Sequence, residues 1–245
     1  MQVIFGINPV LEDLKSRTGR INRIVVARGR GGEGLHKILD LAEKKAIRIE
    51  FRERSYLDRE SGKALHQGVI GFCKPFAYAT VDDVIANRNP GLKHDLILLL
   101  DGITDPQNLG TLIRTAHCCG ANGVIIPRDR SASVTGSTIK TSAGTADYTP
   151  IARVVNLAGT IDYLKGRGFW IYGTDPVSGK DISSVDFSGH VGLVMGSEGR
   201  GMRQLVRKQC DFLLSIPMVG RIDSLNVSVA AGIILYEILR AFRKA

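Results

Sequence analysis

Five short apolar runs, 96-LILLL-100, 123-GVIIP-127, 169-FWIYG-173, 191-VGLVMG-196 and 212-FLLSI-216, are separated by stretches with helical periodicity and by loops, 174–189 among the latter. This alternation restricts the second half of the chain more than any other feature. A continuous apolar run of this length, bounded by glycine, proline or polar side chains, is the pattern of a strand covered on both faces. Such strands alternating with helices pack as a mainly parallel α/β sheet. In that arrangement the loops after the strands gather along one edge, where α/β proteins hold ligands.

Three of these loops are rich in glycine and polar side chains. The first lies in 97-ILLLDGITDPQNLGTLIRTAHCCGANGVII-126: a strand, a turn with Asn108 and Gly110, a helix carrying Arg114, and another strand. The second, 193-LVMGSEGRGM-202, runs from a strand end into Gly196, Gly199 and Gly201. The third, 212-FLLSIPMVGRIDSLNVSVAAGIILYEILRAF-242, reads as a strand, a polar loop with Arg221, Asp223 and Ser224, and a long helix. Asn226 is placed to cap that helix, because its side chain can accept from the free N–H groups of the first turn. Val227, Ala230, Ala231, Ile234, Ile238 and Phe242 then recur at helical spacing. Taken alone, this third segment is an ordinary strand-to-helix connection.

In this order and at these separations, the three segments resemble the signatures of the SpoU (TrmH-type) family of RNA ribose 2′-O-methyltransferases. The matching residues are Asn108, Gly110 and Arg114; then Gly196, Glu198, Gly199 and Gly201; then Ile216, Pro217, Met218, Gly220, Ser224, Leu225, Asn226, Val227 and Ser228. The resemblance extends into the N-terminal part and spans almost the whole chain. It is strongest to the branch that methylates a guanosine of large-subunit (23S) ribosomal RNA. It implies an α/β fold whose C-terminal parallel-sheet domain contains a trefoil knot. There the three loops would meet and bind S-adenosylmethionine in a bent conformation. It also implies a small α/β ribosomal-protein-like domain in front, which helps hold RNA, and a homodimer formed through the knotted domain. The expected layout is an RNA-binding domain at 1–72, a linker at 73–93 and a methyltransferase domain at 94–245.

The implied reaction moves a methyl group from a sulfonium to a ribose hydroxyl and requires no metal. Gly196, Gly199 and Gly201 allow close approach of the chain and unusual dihedrals. Backbone groups near Gly196, Ile216, Met218 and Leu225 are expected to read the cofactor, with Leu193, Ile216, Met218 and Leu225 as the apolar wall for adenine. Arg114 is the first catalytic candidate. A free guanidinium is a poor base, with a pKa above about 12, so binding the phosphate beside the target ribose or stabilising an alkoxide competes with the base-like role given to the matching arginine in the family. Asn108, Glu198, Ser224 and Asn226 complete the catalytic set, as groups that orient the ribose or fix the loops. For Asn226, plain helix capping is the competing role.

The N-terminal part contains a different glycine run. Ile21 to Ala27 reads as a strand, 29-GRGGEG-34 follows, and a helical pattern leads to the strand 47-IRIEF-51. This satisfies G-x-G-x-x-G, and Glu50 lies near the position of a ribose-binding acid, so a dinucleotide site is the sharp local reading. The further βαβ units of a full dinucleotide fold do not follow. A basic loop that touches RNA phosphate through Arg28 and Arg30, with Arg23 nearby and Arg17 and Arg20 adding charge, is the alternative. Asn8 or its neighbour is placed to cap a first helix with Pro9 at its start, and Ser55 to Leu65 reads as a short capped helix. His66-Gln67-Gly68 belongs to the family resemblance and serves equally well as a turn into the strand that follows. A short helix is expected at Val81 to Ala86 within the linker.

Composition narrows the partners. With Lys+Arg 33 against Asp+Glu 24, the formal net charge is +9, which suits a polyanion such as nucleic acid. No apolar run approaches the roughly 20 residues that span a bilayer, and the start of the chain lacks a signal-peptide pattern, so a cytoplasmic protein is expected. Cys73, Cys118, Cys119 and Cys210 show no metal-type spacing and read as reduced packing residues. Three functions stay open at this level: a ribosomal-RNA or transfer-RNA 2′-O-methyltransferase, a non-catalytic RNA-binding or ribosome-assembly protein of the same fold, and a dinucleotide enzyme built on Gly29–Gly34.

Overall fold

The computed structural model describes residues 2–15, 19–62, 65–220 and 224–243. Arg17, Arg221 and Asp223 lie outside the described residues. The chain forms two compact units, Met1–Ala77 and Tyr78–Ala245.

The first unit runs β1 (Gln2–Phe5), α1 (Ile7–Lys15), β2 (Ile21–Ala27), α2 (Glu33–Lys44), β3 (Arg48–Arg52), α3 (Arg54–Ser61) and β4 (Val69–Cys73). Its sheet has the order β1-β4-β2-β3, in which β2 and β3 are parallel and joined through α2. Side-chain alternation along β2 divides the core. Ile24 and Val26 face Val10 and Leu14 of α1 and Leu35, Ile38 and Ala42 of α2. Val25 and Ala27 point the other way, onto Leu57 of α3 with Ile70 and Phe72. α1 begins before the Asn8–Pro9 signal. Gly6 turns the chain with φ 92, and the Ile7 N–H donates to Gln67 Oε1 at 3.1 Å. The cap thus comes from another segment, which local pattern cannot reveal. His66-Gln67-Gly68 is a structural turn: Gly68 N–H donates to His66 Nδ1 at 3.0 Å, and His66 Nε2 lies 2.8 Å from Asp58.

The second unit contains α4 (Val81–Ala86), β5 (Leu96–Asp101), α5 (Pro106–Cys118), β6 (Gly123–Pro127), α6 (Gly136–Thr141), β7 (Ile151–Val154), α7 (Leu157–Lys165), β8 (Phe169–Thr174), β9 (Lys180–Asp181), β10 (His190–Gly196), α8 (Gln204–Gln209), β11 (Phe212–Ser215) and α9 (Val227–Phe242). The connector expected at 73–93 is shorter than its composition suggests. Ala79 bridges to Ala152, and Val84 of α4 is wholly buried in the second unit's core, so residues from Tyr78 onward belong to that unit.

Seven strands lie in the order β7-β6-β5-β10-β8-β11-β9, and each neighbouring pair is parallel. β10 is inserted between β5 and β8, both made earlier in the chain. Ile97, Leu99, Ile125, Ile171 and Val194 meet Leu157, Ile161 and Leu164 of α7 in one core cluster. α5 and α9 lie side by side, close enough that a Cβ on Gly232 would stand 3.8 Å from Thr115 Cγ2. Gly110 admits α6 against α5: a Cβ there would meet the Thr138 carbonyl oxygen at 2.6 Å. Cys73 and Cys119 are buried and Cys210 is half-buried, whereas Cys118 is exposed and does not act as packing. Among the described residues, no helix is long and apolar enough to cross a membrane.

Candidate active site

Because the strands are parallel, the segments after β5, β8, β10 and β11 emerge on the same edge. After β10 the chain closes into a tight hairpin. Ser197 and Gly201 exchange backbone hydrogen bonds of 3.1 and 2.9 Å. Gly199 and Gly201 hold φ of 77 and 66, in the left-handed region that glycine populates freely. Gly196 makes the fold-back possible, since a Cβ on it would lie 2.3 Å from the Gly201 carbonyl carbon and 2.4 Å from Met202 N. The hairpin is tied to the end of β5. Asp101, nearly fully buried, accepts from Arg203 N at 2.7 Å and from Arg203 Nε at 2.6 Å.

The hairpin carries Glu198 to the N-terminus of α9. Glu198 Oε1 accepts from Asn226 Nδ2 at 2.7 Å and from the Val227 N–H at 3.1 Å. Asn226 Nδ2 also donates to Asn108 Oδ1 at 3.2 Å, and the Ser228 hydroxyl reaches the same oxygen at 3.3 Å. Asn226 still caps α9, accepting from Ser228 N at 2.9 Å, so its capping and networking roles coexist. Asp105 caps α5 through the Gln107 and Asn108 N–H groups at 3.2 and 3.0 Å. Anions at helix N-termini are stabilised by the exposed N–H groups and the helix dipole, and here two such ends meet around carboxylates. Asn108, Glu198 and Asn226, far apart in sequence, thus form one hydrogen-bonded cluster with Ser228.

Beside this cluster is a cavity of about 340 Å³, within the ordinary size of small-molecule sites. Gly196, Gly199, Gly201, Ile216, Met218, Ser224 and Leu225 line it, together with Glu198. Leu214, Val227, Ala230 and Ile234 supply further apolar wall. Leu193 does not take part. It is fully buried within β10, paired with Leu98 and Tyr172, three residues short of the strand end. Arg114 lies outside the cluster. It is exposed on α5 and its guanidinium has no hydrogen bond, ion pair or ring contact among the described residues.

Thr174 at the end of β8, with Asp175 and Pro176 just after it, forms a wall in a stretch whose sequence reads only as loop. Their position just after an apolar run was the only signal, and it does not single out Asp175. Burial pushes the Asp175 carboxyl upward, but hydrogen bonds from Arg207, Ser178 and Val177 outweigh it and hold the group well below the usual carboxylate range. Arg207 Nε donates at 2.8 Å, Ser178 N and Oγ at 3.1 and 2.8 Å, and Val177 N at 3.0 Å. That clasp shapes the loop against the cavity.

In the first unit, the arginines expected to touch RNA differ in availability. Arg28 is exposed, with Glu53 at 3.6 Å in solvent. Arg30 is exposed and donates from Nε to the Gln67 carbonyl at 3.1 Å. Arg23 is largely committed, with its guanidinium 4.0 Å from the centre of the Phe72 ring and 3.6 Å from Glu50. Glu50 in turn meets Arg48 at 3.2 Å and Arg52 at 3.0 Å. Three guanidiniums occupy this carboxylate, which removes it as a ribose-binding acid.

A model of the SpoU rRNA Methylase family matches residues 95–236, and one described as RNA 2′-O ribose methyltransferase substrate binding matches residues 3–79. The chain is 39% identical to the 23S rRNA (guanosine-2′-O-)-methyltransferase RlmB of Escherichia coli (strain K12), over 98% of each chain. An AdoMet-bound rRNA methyltransferase from Sinorhizobium meliloti superposes with a TM-score of 0.67 at 25% identity, covering 98% of this chain and 87% of that one. The TrmH/SpoU tRNA modifying enzyme of A. aeolicus superposes with a TM-score of 0.58 at 28% identity, covering 66% of this chain and 80% of that one.

Proposed function

The chain belongs to the SpoU rRNA methylase family, and from that premise we propose that it methylates the ribose 2′-hydroxyl of a specific guanosine in 23S ribosomal RNA, with S-adenosylmethionine as cofactor. The observation that carries this reading is the hydrogen-bonded cluster of Asn108, Glu198 and Asn226 beside the cavity. The residues fit the cofactor. The cavity has the volume of a small-molecule site, apolar side chains from Ile216, Met218 and Leu225 for a flat base, and Ser197, Ser224 and Glu198 as polar rim. When bound, S-adenosylmethionine supplies a methyl group already activated on a sulfonium sulfur.

The protein's part is alignment and proton handling. Gly196, Gly199 and Gly201 bring backbone close to the cofactor, and the Glu198–Asn226–Asn108 network fixes the three loops relative to one another. Holding two reactants in register contributes several kcal/mol of barrier reduction, and a positioned base contributes a factor of about 10²–10⁴. Arg114 is an exposed cation on α5 without a partner among the described residues, and its guanidinium serves the phosphate beside the target ribose or the oxyanion that forms as the hydroxyl proton leaves. Ser224 orients the ribose from the cavity rim.

The first unit, through Arg28 and Arg30, captures RNA, and the second binds the cofactor. The second unit's chain is threaded as a trefoil knot and forms the homodimer. On α9, Val229, Ile233 and Tyr236 are 51%, 39% and 61% exposed at helical spacing, an apolar stripe suited to a second copy. Leu235, by contrast, is fully buried within the unit and adds nothing to that surface. The protein works in the cytoplasm, on ribosomal RNA. A transfer-RNA target is the second reading, favoured by the tRNA-modifying relative from A. aeolicus. Treated ribosomal RNA should gain one alkali-resistant linkage, because a 2′-O-methyl group removes the internal nucleophile that cleaves RNA. A 2′-deoxy nucleotide at the target should abolish transfer; methylation of that deoxy substrate would move the chemistry to a base and end this reading. Sedimentation showing a fully active monomer at micromolar concentration would end the dimer assignment.

A further inference from the structure

The acids on the ligand-bearing edge of the second unit are engaged, and several of its arginines are not. Asp101 is held by Arg203, Asp105 by the start of α5, Asp129 by Arg128 at 3.7 Å, Asp175 by Arg207, and Glu198 by Asn226 and Val227. The guanidiniums of Arg114, Arg130 and Arg200 have no hydrogen bond, ion pair or ring contact among the described residues, and all three side chains are exposed. This is a surplus of positive charge at fixed places, and a polyanion is what complements it.

Strand order locates two of these cations relative to the reacting cluster. β6, β5 and β10 are consecutive in the sheet. Arg130 follows β6, Asn108 follows β5, and Arg200 follows β10, between Gly199 and Gly201 on the hairpin that carries Glu198. Arg130 therefore stands on the β6 side of Asn108 and Arg200 on its β10 side, on the same hairpin as Glu198. Arg130 is also held rigidly. Its own φ of 55 is rare for a residue with a side chain. The next two residues are pinned to the loop that leads into α5, with Ala132 N and Ser131 Oγ donating to the Ile103 carbonyl at 2.7 and 3.3 Å. A fixed turn spares the backbone share of the ordering cost on binding, and the guanidinium's fork of donors matches a phosphate.

We propose that Arg130 and Arg200 hold the RNA phosphates on either side of the target ribose, so that the second unit carries its own track for the backbone of single-stranded RNA. This rests on the methyltransferase reading above. Single-stranded RNA is the partner because selecting one guanosine by sequence requires a loop or bulge whose unstacked base can be splayed out and read. The loop after β6 takes no part in lining the cofactor cavity, and on this assignment it belongs to the nucleic acid.

The test uses the full chain and a single-stranded RNA containing the target guanosine. Wild-type protein is assayed first, and methyl transfer there secures the underlying reading, so that variant results bear on the track alone. Arg130→Ala and Arg200→Ala should each weaken RNA binding about tenfold, a typical loss for one charge-assisted contact. Each should also flatten the slope of log affinity against log salt by about 0.7. Affinity for S-adenosylmethionine should stay unchanged, which also reports that the variants are folded. KM for RNA should rise with little change in kcat, and Arg130→Lys should recover most of the salt slope. Lys208→Ala, on an exposed cation just before β11 and so at the opposite edge of the sheet, should change neither quantity. Wild-type RNA affinity and salt slope in the Arg130→Ala, Arg200→Ala double variant would overturn the proposal, as would an equal loss in Lys208→Ala.

Discussion

Two glycine-rich loops in this chain follow a parallel strand and read alike in sequence, yet their surroundings differ. The loop at 29–34 leads from β2 into α2, and a Cβ placed on Gly29, Gly31 or Gly32 would meet nothing within 4 Å. The loop at 196–201 leads from β10 into a closed hairpin where a Cβ on Gly196 would strike backbone at 2.3 Å. The second lines a cavity and delivers a carboxylate to the N-terminus of α9, whereas the first presents exposed arginines. A glycine motif gains its chemistry from what the rest of the fold packs against it. In the first unit, the acid that would complete a dinucleotide site is already surrounded by Arg23, Arg48 and Arg52.

Substitutions in the two units can sharpen this contrast or break it. The largest effect is expected for Arg114→Ala, which should cost about a thousandfold in turnover, as loss of a key electrostatic group does, while calorimetry shows cofactor affinity intact. Full turnover at saturating RNA would remove Arg114 from the site. Gly196→Val should weaken cofactor binding about a hundredfold, because the hairpin backbone cannot give way cheaply to an added side chain. Unchanged affinity would mean that the hairpin is not part of the cofactor site. A chain lacking residues 1–77 should still bind S-adenosylmethionine. Its RNA affinity should drop about tenfold, with a shallower salt dependence from the lost arginines. Loss of cofactor binding in that folded truncation would reopen a role for the loop at 29–34. The smallest effect is expected for Gly31→Ala, which should leave both cofactor and RNA affinity within about twofold, as open surface positions usually do. NAD binding by the wild-type chain that this substitution abolished would break the comparison outright.

The elements that sequence alone could locate are those whose signal is local. β2 and β6 coincide with the apolar runs at Ile21–Ala27 and Gly123–Pro127, α4 with Val81–Ala86, and the start of α9 with its Asn226 cap. α6 and α8 escaped notice because each is a short helix with one buried residue, Thr138 and Val206 respectively, and hence no apolar stripe to detect. β9 has two residues and takes its identity from β11, its partner in the ladder. The second and third motifs both contribute to the cavity lining and the first does not; that their loops meet was implied by the family resemblance, not by any local pattern. Leu193 was misplaced because an apolar run does not say which of its members reaches the strand end. Asp175 was invisible because its partner Arg207 lies 32 positions away, on a helix that was itself unseen. Charge could be read as favouring a polyanion, but the pairing of each acid could not, and that pairing singles out Arg130 and Arg200.

The insertion of β10 between β5 and β8 also governs how the chain must be made. Until His190–Gly196 leaves the ribosome, β5–β6–β7 and β8 cannot join, because the strand between them does not yet exist. Each fragment then carries a bare strand edge, Leu96–Asp101 on one and Phe169–Thr174 on the other, and bare edges recruit other chains. Pairing strands so distant in sequence is also slow. A polypeptide that ends before His190 should therefore aggregate, whatever its helices do, and pulse-labelled synthesis should show protease resistance of the second unit arriving late and abruptly. The strand that hides these edges also leads into the hairpin that lines the cavity, so a chain that ends before it is at once without its site and sticky, and quality control by the cell would find both faults in one place.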